Sequence, residues 1–336
     1  MKKSLREDKI DIVLLWVDGS DEEWLKKKKQ YEPGLEISNE VNRFRDWGLL
    51  KYWFRGIEKN MSWINKIYFV VDNQKPSWLN EKHPKLKIVN HSDYIDEKYL
   101  PLFNSSAIEC TINKIRGLSD YFILFNDDMY VLDRTKREDF FINGRPCDEY
   151  VESPICTLKN DSVFPHILLN DADLIKKHYS KKKIIKNPRK YLNIRYGIKI
   201  IKTIMLLPYK NLSGFHNPHI PQPFLKQSFE MLQKEHPEAF ERTLRNRFRS
   251  ESDITQYAPR YLQLVLGKFE PRLKKIGQNI EIREDNIDTI CSHIAKRRTK
   301  LLCLNDTDDQ INFEKTREKL IAAFDSIYKE KSSFEK

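Results

Sequence analysis

Residues 121–125 form an unbroken apolar run, YFILF, that leads straight into Asn126, Asp127 and Asp128 with no glycine or proline between. A short continuous run of this kind reads as a strand buried on both faces, as in the parallel sheet of an α/β fold. In open α/β sheets, ligands sit just beyond the carboxyl ends of such strands. Two adjacent carboxylates there repel one another and lose hydration unless a cation or a proton offsets them. Hard divalent cations take oxygen ligands and bridge to substrate phosphates. The motif therefore reads in two ways: as the site of a metal-dependent enzyme that handles a phosphorylated donor, or as the start of a solvated loop.

The same pattern recurs along the chain. Residues 10–16 (IDIVLLW) are a second buried strand and end at Asp18, Gly19, Ser20 and Asp21. Gly19 permits a tight turn there, and Ser20 or Asp21 can cap a following helix. Residues 66–71 are closed by Asp72 and Asn73, residues 86–90 by His91 and Asp93, and residues 300–304 by Asn305 and Asp306. Between these runs, residues 42–60 place Trp47, Leu50, Trp53, Phe54 and Ile57 at helical spacing. Residues 105–116 and 314–331 also read as helices. Strands alternating with helices predict an α/β fold with a Rossmann-like sheet, of the glycosyltransferase A-like kind used by nucleotide-sugar enzymes, flanked by helices. Polar residues at one strand end are ordinary loop chemistry. Their return at successive strand ends points to one shared site.

At 336 residues the chain can bury a large core, and 33 Phe and Tyr with 6 Trp argue against disorder. No apolar stretch approaches the ~20 residues a membrane span needs. The first residues are basic, with no apolar segment before the first strand, so a signal peptide is not expected. The five cysteines (Cys110, Cys147, Cys156, Cys291, Cys303) contain no C-x-x-C pair, which disfavours zinc and disulfide frameworks. A cytoplasmic location is the expectation, with peripheral contact at the inner face of the membrane as its extension. The net charge of +11 attracts polyanions: nucleic acid, anionic lipid or a phosphate-bearing polymer.

Three organisational features stand out in the second half. Residues 174–229 contain no acid, while lysines and arginines run from Lys176 to Lys210 with isoleucines interleaved. A basic amphipathic stretch reads as a surface for membrane or polyanion, or as the solvated face of a helical insertion. Next, His216 and His219 sit among Pro218, Pro221 and Pro223, which stiffen a loop. A histidine there can be a base, a nucleophile toward phosphorus or a metal ligand. Arg242, Arg245, Arg247 and Arg249 follow. The chain divides on this reading into an N-terminal nucleotide-sugar and metal half (1–150), a basic insertion (151–212) and a C-terminal half that completes the site (213–336).

These residues resemble the Stealth family, the hexose-1-phosphotransferases of bacterial capsule synthesis, which are related to the animal N-acetylglucosamine-1-phosphotransferase. Residues 10–21 are similar to its first signature. The second is matched by Arg43 to Asp46, residues 67–79, 100–104, 107–109 and 125–128. The third is matched from His216 to His219, at His236 and from Arg247 to Arg249, and the fourth at residues 302–306. The resemblance implies transfer of a sugar-1-phosphate from a nucleotide-sugar to a capsular or exopolysaccharide acceptor, which in this family is often lipid-linked. It implies a divalent-metal site, Mg²⁺ or Mn²⁺, at Glu109, Asp128 and Asp306. It implies catalytic roles for His216 and Arg249 beside Asp128. It places Asp18, Gly19 and Arg45 at the donor. Asp127, Asn305 and His219 are neighbours to which it gives no fixed role.

Two rival readings make different predictions. An ordinary metal-dependent glycosyltransferase would break the sugar C1–O bond and release nucleoside diphosphate. A nucleic-acid-binding protein is suggested by charge alone, and the chain carries no helix-turn-helix, RNP or zinc signature; no nucleic-acid partner is expected.

Overall fold

A computed structural model describes residues 8–31, 45–158, 163–272, 275–306 and 311–336. Its first sheet is built from β1 (Ile10–Leu15), β2 (Ile67–Val71), β3 (Leu86–Asn90), β4 (Tyr121–Asn126) and β8 (Gln222–Leu225), in the order β3-β2-β1-β4-β8. The first four strands are mutually parallel, and β8 closes the edge antiparallel to β4. This is a mixed α/β fold with a Rossmann-like parallel sheet.

Alternate residues on the central strands feed two different cores. Ile10, Ile12 and Leu14 with Phe69 and Phe125 join one cluster, which holds Trp53, Phe54 and Ile57 of the helix Leu50–Asn60 and Leu320 and Phe324 of the helix Phe313–Ile327. Val13, Tyr68, Val70, Phe122 and Leu124 face the other way, onto Ala107, Ile112, Ile115 and Phe229. Burial on both faces explains why these strands read as continuous apolar runs rather than as alternation. A third cluster gathers Leu174, Ile175, Ile184, Tyr191 and Tyr196 with Phe215, Phe240 and Tyr261. The basic stretch therefore contributes side chains to the same core as the residues that follow the histidine loop.

Beyond Asn126 the chain makes a two-residue turn at Asp127 and Asp128 and enters β5 (Met129–Val131). Short strands β6 (Phe141–Ile142) and β7 (Arg145–Asp148) follow, and β7 pairs with β9 (Glu270–Pro271). β5 belongs to a further sheet with β10 (Gly277–Ile282) and β11 (Leu301–Asp306), in the order β10-β11-β5. Cys303 pairs with Met129, and the Leu304 amide donates to the Asp128 carbonyl at 2.9 Å. The last strand is thus laid against the turn that carries the paired acids.

Several local expectations are revised. The helix expected over 42–60 starts at Leu50; residues 45–49 are irregular, and 42–44 lie outside the described residues. The helix expected over 105–116 stops at Glu109 and gives way to a 3₁₀ turn at Ile112–Lys114. Pro223, read as part of a stiff loop, lies inside β8 opposite Ile123. It is tolerated because β8 is an edge strand, where a missing N–H breaks no central ladder.

Candidate active site

Four of the predicted strand ends lie on one edge of the first sheet, because β1 to β4 run parallel. The first is organised by hydrogen bonds rather than by a long loop. The Ser20 amide and hydroxyl donate to Asp18 Oδ1 at 2.9 and 2.6 Å, which holds Asp18 and Gly19 in a turn. Gln74, buried just past β2, accepts from the Asp18 amide at 2.9 Å and donates to the Asp18 carbonyl at 3.0 Å. Two strand ends are thereby clasped together. Beside them opens a pocket of ≈ 250 Å³ whose lining includes Trp16, Asp18, Asp46, Lys51, Lys75 and Trp78. Gly48, at φ +69, also lines it; a Cβ there would meet the Arg317 guanidinium at 3.1 Å.

The second centre is at the end of β4. His219 Nε2 lies 3.5 Å from Asp128 Oδ2, and the Cys303 thiol donates to the same oxygen at 3.2 Å. The ligand atoms of Asp128, His219 and Cys303 all lie within 4.8 Å of one another. Asp128 Oδ1 is buried and has no hydrogen-bond partner among the described residues. Glu109 is 6 % exposed at the end of its short helix, and burial pushes its carboxyl up to about 7 although Arg249 and His219 pull it down. For His219, burial pulls down, but the Asp128 and Glu109 carboxylates outweigh it and hold the imidazole above its ordinary value. Glu109, Asp128, His219 and Arg249 are therefore one electrostatic unit.

Asp127 joins this unit to the pocket. Burial pushes its carboxyl up to about 8, with Asp128 and Asp46 pushing the same way. Asp306 is held from the other side: Trp47 Nε1 donates to its Oδ2 at 3.1 Å, and Arg45 Nη1 lies 3.6 Å from that oxygen. The three carboxylates expected to share a cation are thus distributed, with Asp128 in the His219–Cys303 cluster, Glu109 buried nearby under the charges of Arg249 and His219, and Asp306 against Arg45 and Trp47.

His216 is placed by a different set. Its Nδ1 lies 2.8 Å from Glu149 Oε1, at ion-pair distance rather than in an aligned hydrogen bond, and Lys199 donates to the same oxygen at 2.8 Å. Burial alone would raise the Glu149 carboxyl, but His216 and Lys199 outweigh it and hold it at about 2. Gly214, two residues earlier, has φ +132, and a Cβ there would stand 2.9 Å from the Ser153 carbonyl. Only glycine fits that approach. Below the loop, Arg260 and Asp148 form a fully buried pair with Nε–Oδ2 2.7 Å and Nη2–Oδ1 2.9 Å. Arg260 Nη1 donates onward to the His216 carbonyl at 3.1 Å and to Asn217 Oδ1 at 2.8 Å.

Asn104 brings Glu109 and Arg249 together. Its side chain caps the Glu109 helix by accepting from the Ser106 amide, and its Nδ2 donates to Asp253 Oδ2 at 2.8 Å and to the Asn246 carbonyl at 3.0 Å. Arg249 Nη2 reaches Ser105 Oγ at 3.3 Å. The sequence reading assigned nothing to Gln74, Glu149, Asn104, Asp253 or Arg260. Gln74 and Glu149 could have been found by the strand-end rule, since they follow β2 and β7. Asn104 and Asp253 have local partners as well, but the contacts that join them to each other, and Arg260 to Asp148, are between residues distant in sequence, which nothing local marks.

Comparison with known proteins adds to this geometry. Conserved regions 1, 2 and 3 of the Stealth proteins match residues 8–36, 43–147 and 218–256. Glu109, Asp127, Asp128, His219 and Arg249 fall inside the matched regions, and His216 lies two residues ahead of the third. A capsular polysaccharide phosphotransferase of Streptococcus pneumoniae is 41 % identical over 334 residues, covering 98 % of both chains. An exopolysaccharide phosphotransferase of Lactiplantibacillus plantarum is 38 % identical over 330 residues, covering 97 % of this chain and 96 % of its own. A receptor polysaccharide phosphotransferase of Streptococcus gordonii is 36 % identical over 334 residues, covering 98 % and 99 %.

Proposed function

The chain belongs to the Stealth family, and on that premise we propose that it is a polysaccharide phosphotransferase that moves a hexose-1-phosphate from a nucleotide-sugar to an acceptor hydroxyl of a capsular or exopolysaccharide. The acceptor oxygen bonds to the phosphorus that carries the sugar. The pyrophosphate P–O bond on the nucleotide side breaks, nucleoside monophosphate leaves, and the hydroxyl proton passes to a base. The product is a phosphodiester.

The observation that supports this reading is the close set of Asp128, His219 and Cys303 past the end of β4, with Glu109 and Arg249 near enough for their charges to act on it, beside a sheet edge that also carries an open pocket lined by Asp18 and Asp46. Phosphoryl transfer is mostly positioning and charge stabilisation, and this unit supplies both. The pocket suits a nucleotide: Trp16 and Trp78 offer ring faces, Lys51 and Lys75 offer positive charge, and Asp18 offers acceptors for sugar hydroxyls. Gly19 lets the backbone approach, and Arg45 stands beside the pocket at Asp306. In this reading the sheet is of the glycosyltransferase A type.

A divalent cation, Mg²⁺ or Mn²⁺, would be anchored at Asp128, and Glu109 and Asp306, which do not stand with Asp128 in one cluster here, would have to close on it. The partnerless Asp128 Oδ1 is a buried oxygen with a lone pair to give, and Glu109 and Asp306 are the other carboxylates that would hold the ion. When bound, it neutralises pyrophosphate charge. Arg249 presents a planar fork to the non-bridging phosphate oxygens, an interaction that grows as charge accumulates in the transition state. Glu149 stays ionised 2.8 Å from His216 Nδ1, where its charge would stabilise the imidazole as it takes the acceptor's proton.

The test is incubation with a panel of nucleotide-sugars, an acceptor polysaccharide and Mg²⁺, with chromatography of the released nucleotide. UMP or GMP is the expected product, and EDTA should stop its release. Nucleoside diphosphate as the first product would replace this reading by a glycosyltransferase. His216→Ala and Arg249→Ala should each lower kcat roughly 10²-fold or more with a smaller change in donor KM, the scale of a lost general base or charge-stabilising donor. An acid-labile, base-stable phospho-sugar adduct on His216 would make it the nucleophile instead.

A further inference from the structure

Among the described residues, eleven large apolar side chains are exposed, and seven of them lie within residues 185–209: Ile185, Ile194, Ile198, Ile201, Ile204, Met205 and Tyr209. Their exposure is extreme, 89 % for Ile194 and 83 % for Ile198. Each exposed isoleucine leaves apolar area in water that burial would favour by about 25 cal/mol per Å². The segment folds as the helix Lys181–Lys186, a turn of helix at Pro188–Tyr191, 3₁₀ turns over Ile194–Lys199 broken by a kink at Gly197, and the helix Ile200–Leu206. Its inner side is anchored by buried Ile184, Tyr191, Tyr196 and Thr203. Its outer side carries the isoleucines together with exposed Lys182, Lys186, Arg189, Arg195, Lys202 and Lys210. Ile198, Ile201, Lys202 and Met205 stand at the i, i+3, i+4, i+7 spacing of one face.

We infer that this face docks on an anionic lipid bilayer. Exposed aliphatic side chains set among lysines and arginines, on short helices anchored to a folded core, are what an interfacial surface requires. No described helix is long and apolar enough to cross a membrane, so the contact is peripheral. A second copy of this chain does not fit the face: a two-fold contact would set its basic residues against themselves. A soluble polyanion accounts for the charge but leaves the isoleucines in water. The structure also separates docking charges from structural ones. Lys181 is in contact with buried Glu152, and Lys183 donates to the Val265 carbonyl at 3.1 Å. These two are therefore poor probes of the surface, although they lie in its most basic run.

The face is one contact away from the candidate active site. Lys199, between Ile198 and Ile200, bonds the Glu149 carboxylate that touches His216, and Thr203 Oγ1 accepts from the Glu152 amide at 3.0 Å. Docking itself does not depend on the reaction proposed above.

The test uses the full chain with vesicles of phosphatidylcholine alone or in equal parts with phosphatidylglycerol, read by co-sedimentation. Binding is expected only to the anionic vesicles and should fall with salt. Arg195→Ser with Lys202→Ser should weaken it roughly 30-fold, two basic side chains at the usual strength near such a surface. Ile198→Ser, Ile201→Ser and Met205→Ser together should weaken it at least about tenfold. Both variants should melt with wild type, because every substituted side chain is exposed. Absent binding, or binding unaltered in both variants, overturns the proposal. Loss in the basic variant alone, with dextran sulfate bound as tightly as vesicles, replaces the bilayer by a soluble polyanion. Self-association that the apolar variant abolishes replaces it by a second copy.

Discussion

The Asp127 carboxyl is pushed up to about 8 by its burial and by Asp128 and Asp46, and Glu109 up to about 7 by burial. In an unfolded chain both would titrate near 4. A carboxyl raised on folding adds stability that is complete below about pH 4 and is lost as pH rises through its folded value. In EDTA the melting temperature should therefore fall between pH 6 and pH 9. Asp127→Asn should flatten that fall, and Mg²⁺ should raise the melting temperature more at pH 9 than at pH 6. A wild-type slope unchanged in Asp127→Asn would remove this residue as a source of the instability. His219 shows the limit of reading residues alone: sequence placed two histidines on one loop, and only the fold turns one to Asp128 and the other to Glu149.

At the scale of elements, the strands that were legible are those buried on both faces, since continuous apolar runs such as residues 12–15 and 67–71 have few other uses. β10 was not legible, because its burial alternates and its sequence, GQNIEI, looks like loop. β8 was hidden by Pro223. The connection between elements that matters most is the Asp148–Arg260 pair, which links β7 and the helix Tyr257–Val265 to the His216 loop. Removing one partner of so buried a pair strands a charge and costs about 3–5 kcal/mol. Asp148→Ala should lower stability by that order in chemical denaturation. The milder Arg260→Lys should keep the fold yet depress kcat, since an ammonium cannot hold Asp148 and the loop together. Wild-type kcat in a folded Arg260→Lys would show that the loop is held by its prolines and Gly214 alone.

Over the whole molecule, the strand-end rule pointed to Asp18, Asp128 and Asp306 but not to the helix and loop residues placed near them. Asp18, Glu109, Asp128, His219, Arg249 and Asp306 come from most of the chain's length, and the contacts between them are set by side chains with no local signature. Asn104 alone bridges to residues 246, 248 and 253. A chain stopped after residue 300 would lose β11, leaving the edges of β5 and β10 unpaired and Phe324 absent from the largest core. Such a truncation is expected to be insoluble, through strand edges open to other chains. A soluble, cooperatively melting fragment would show that β10 and β5 can close without it.

The pairing of β11 with β5 also bears on time. Synthesis proceeds from the N-terminus, and the paired acids at the end of β4 leave the ribosome long before the strand that lies against them. Until residues 301–306 arrive, the turn at Asp127 and Asp128 has no neighbour on that side, and two carboxylates that later share a desolvated corner remain in water. The closing contacts span more than 170 residues, as in Cys303 to Asp128, so they are among the slowest to form. The turn that carries Asp127 and Asp128 therefore gains its β11 neighbour only after nearly all of the chain has been made.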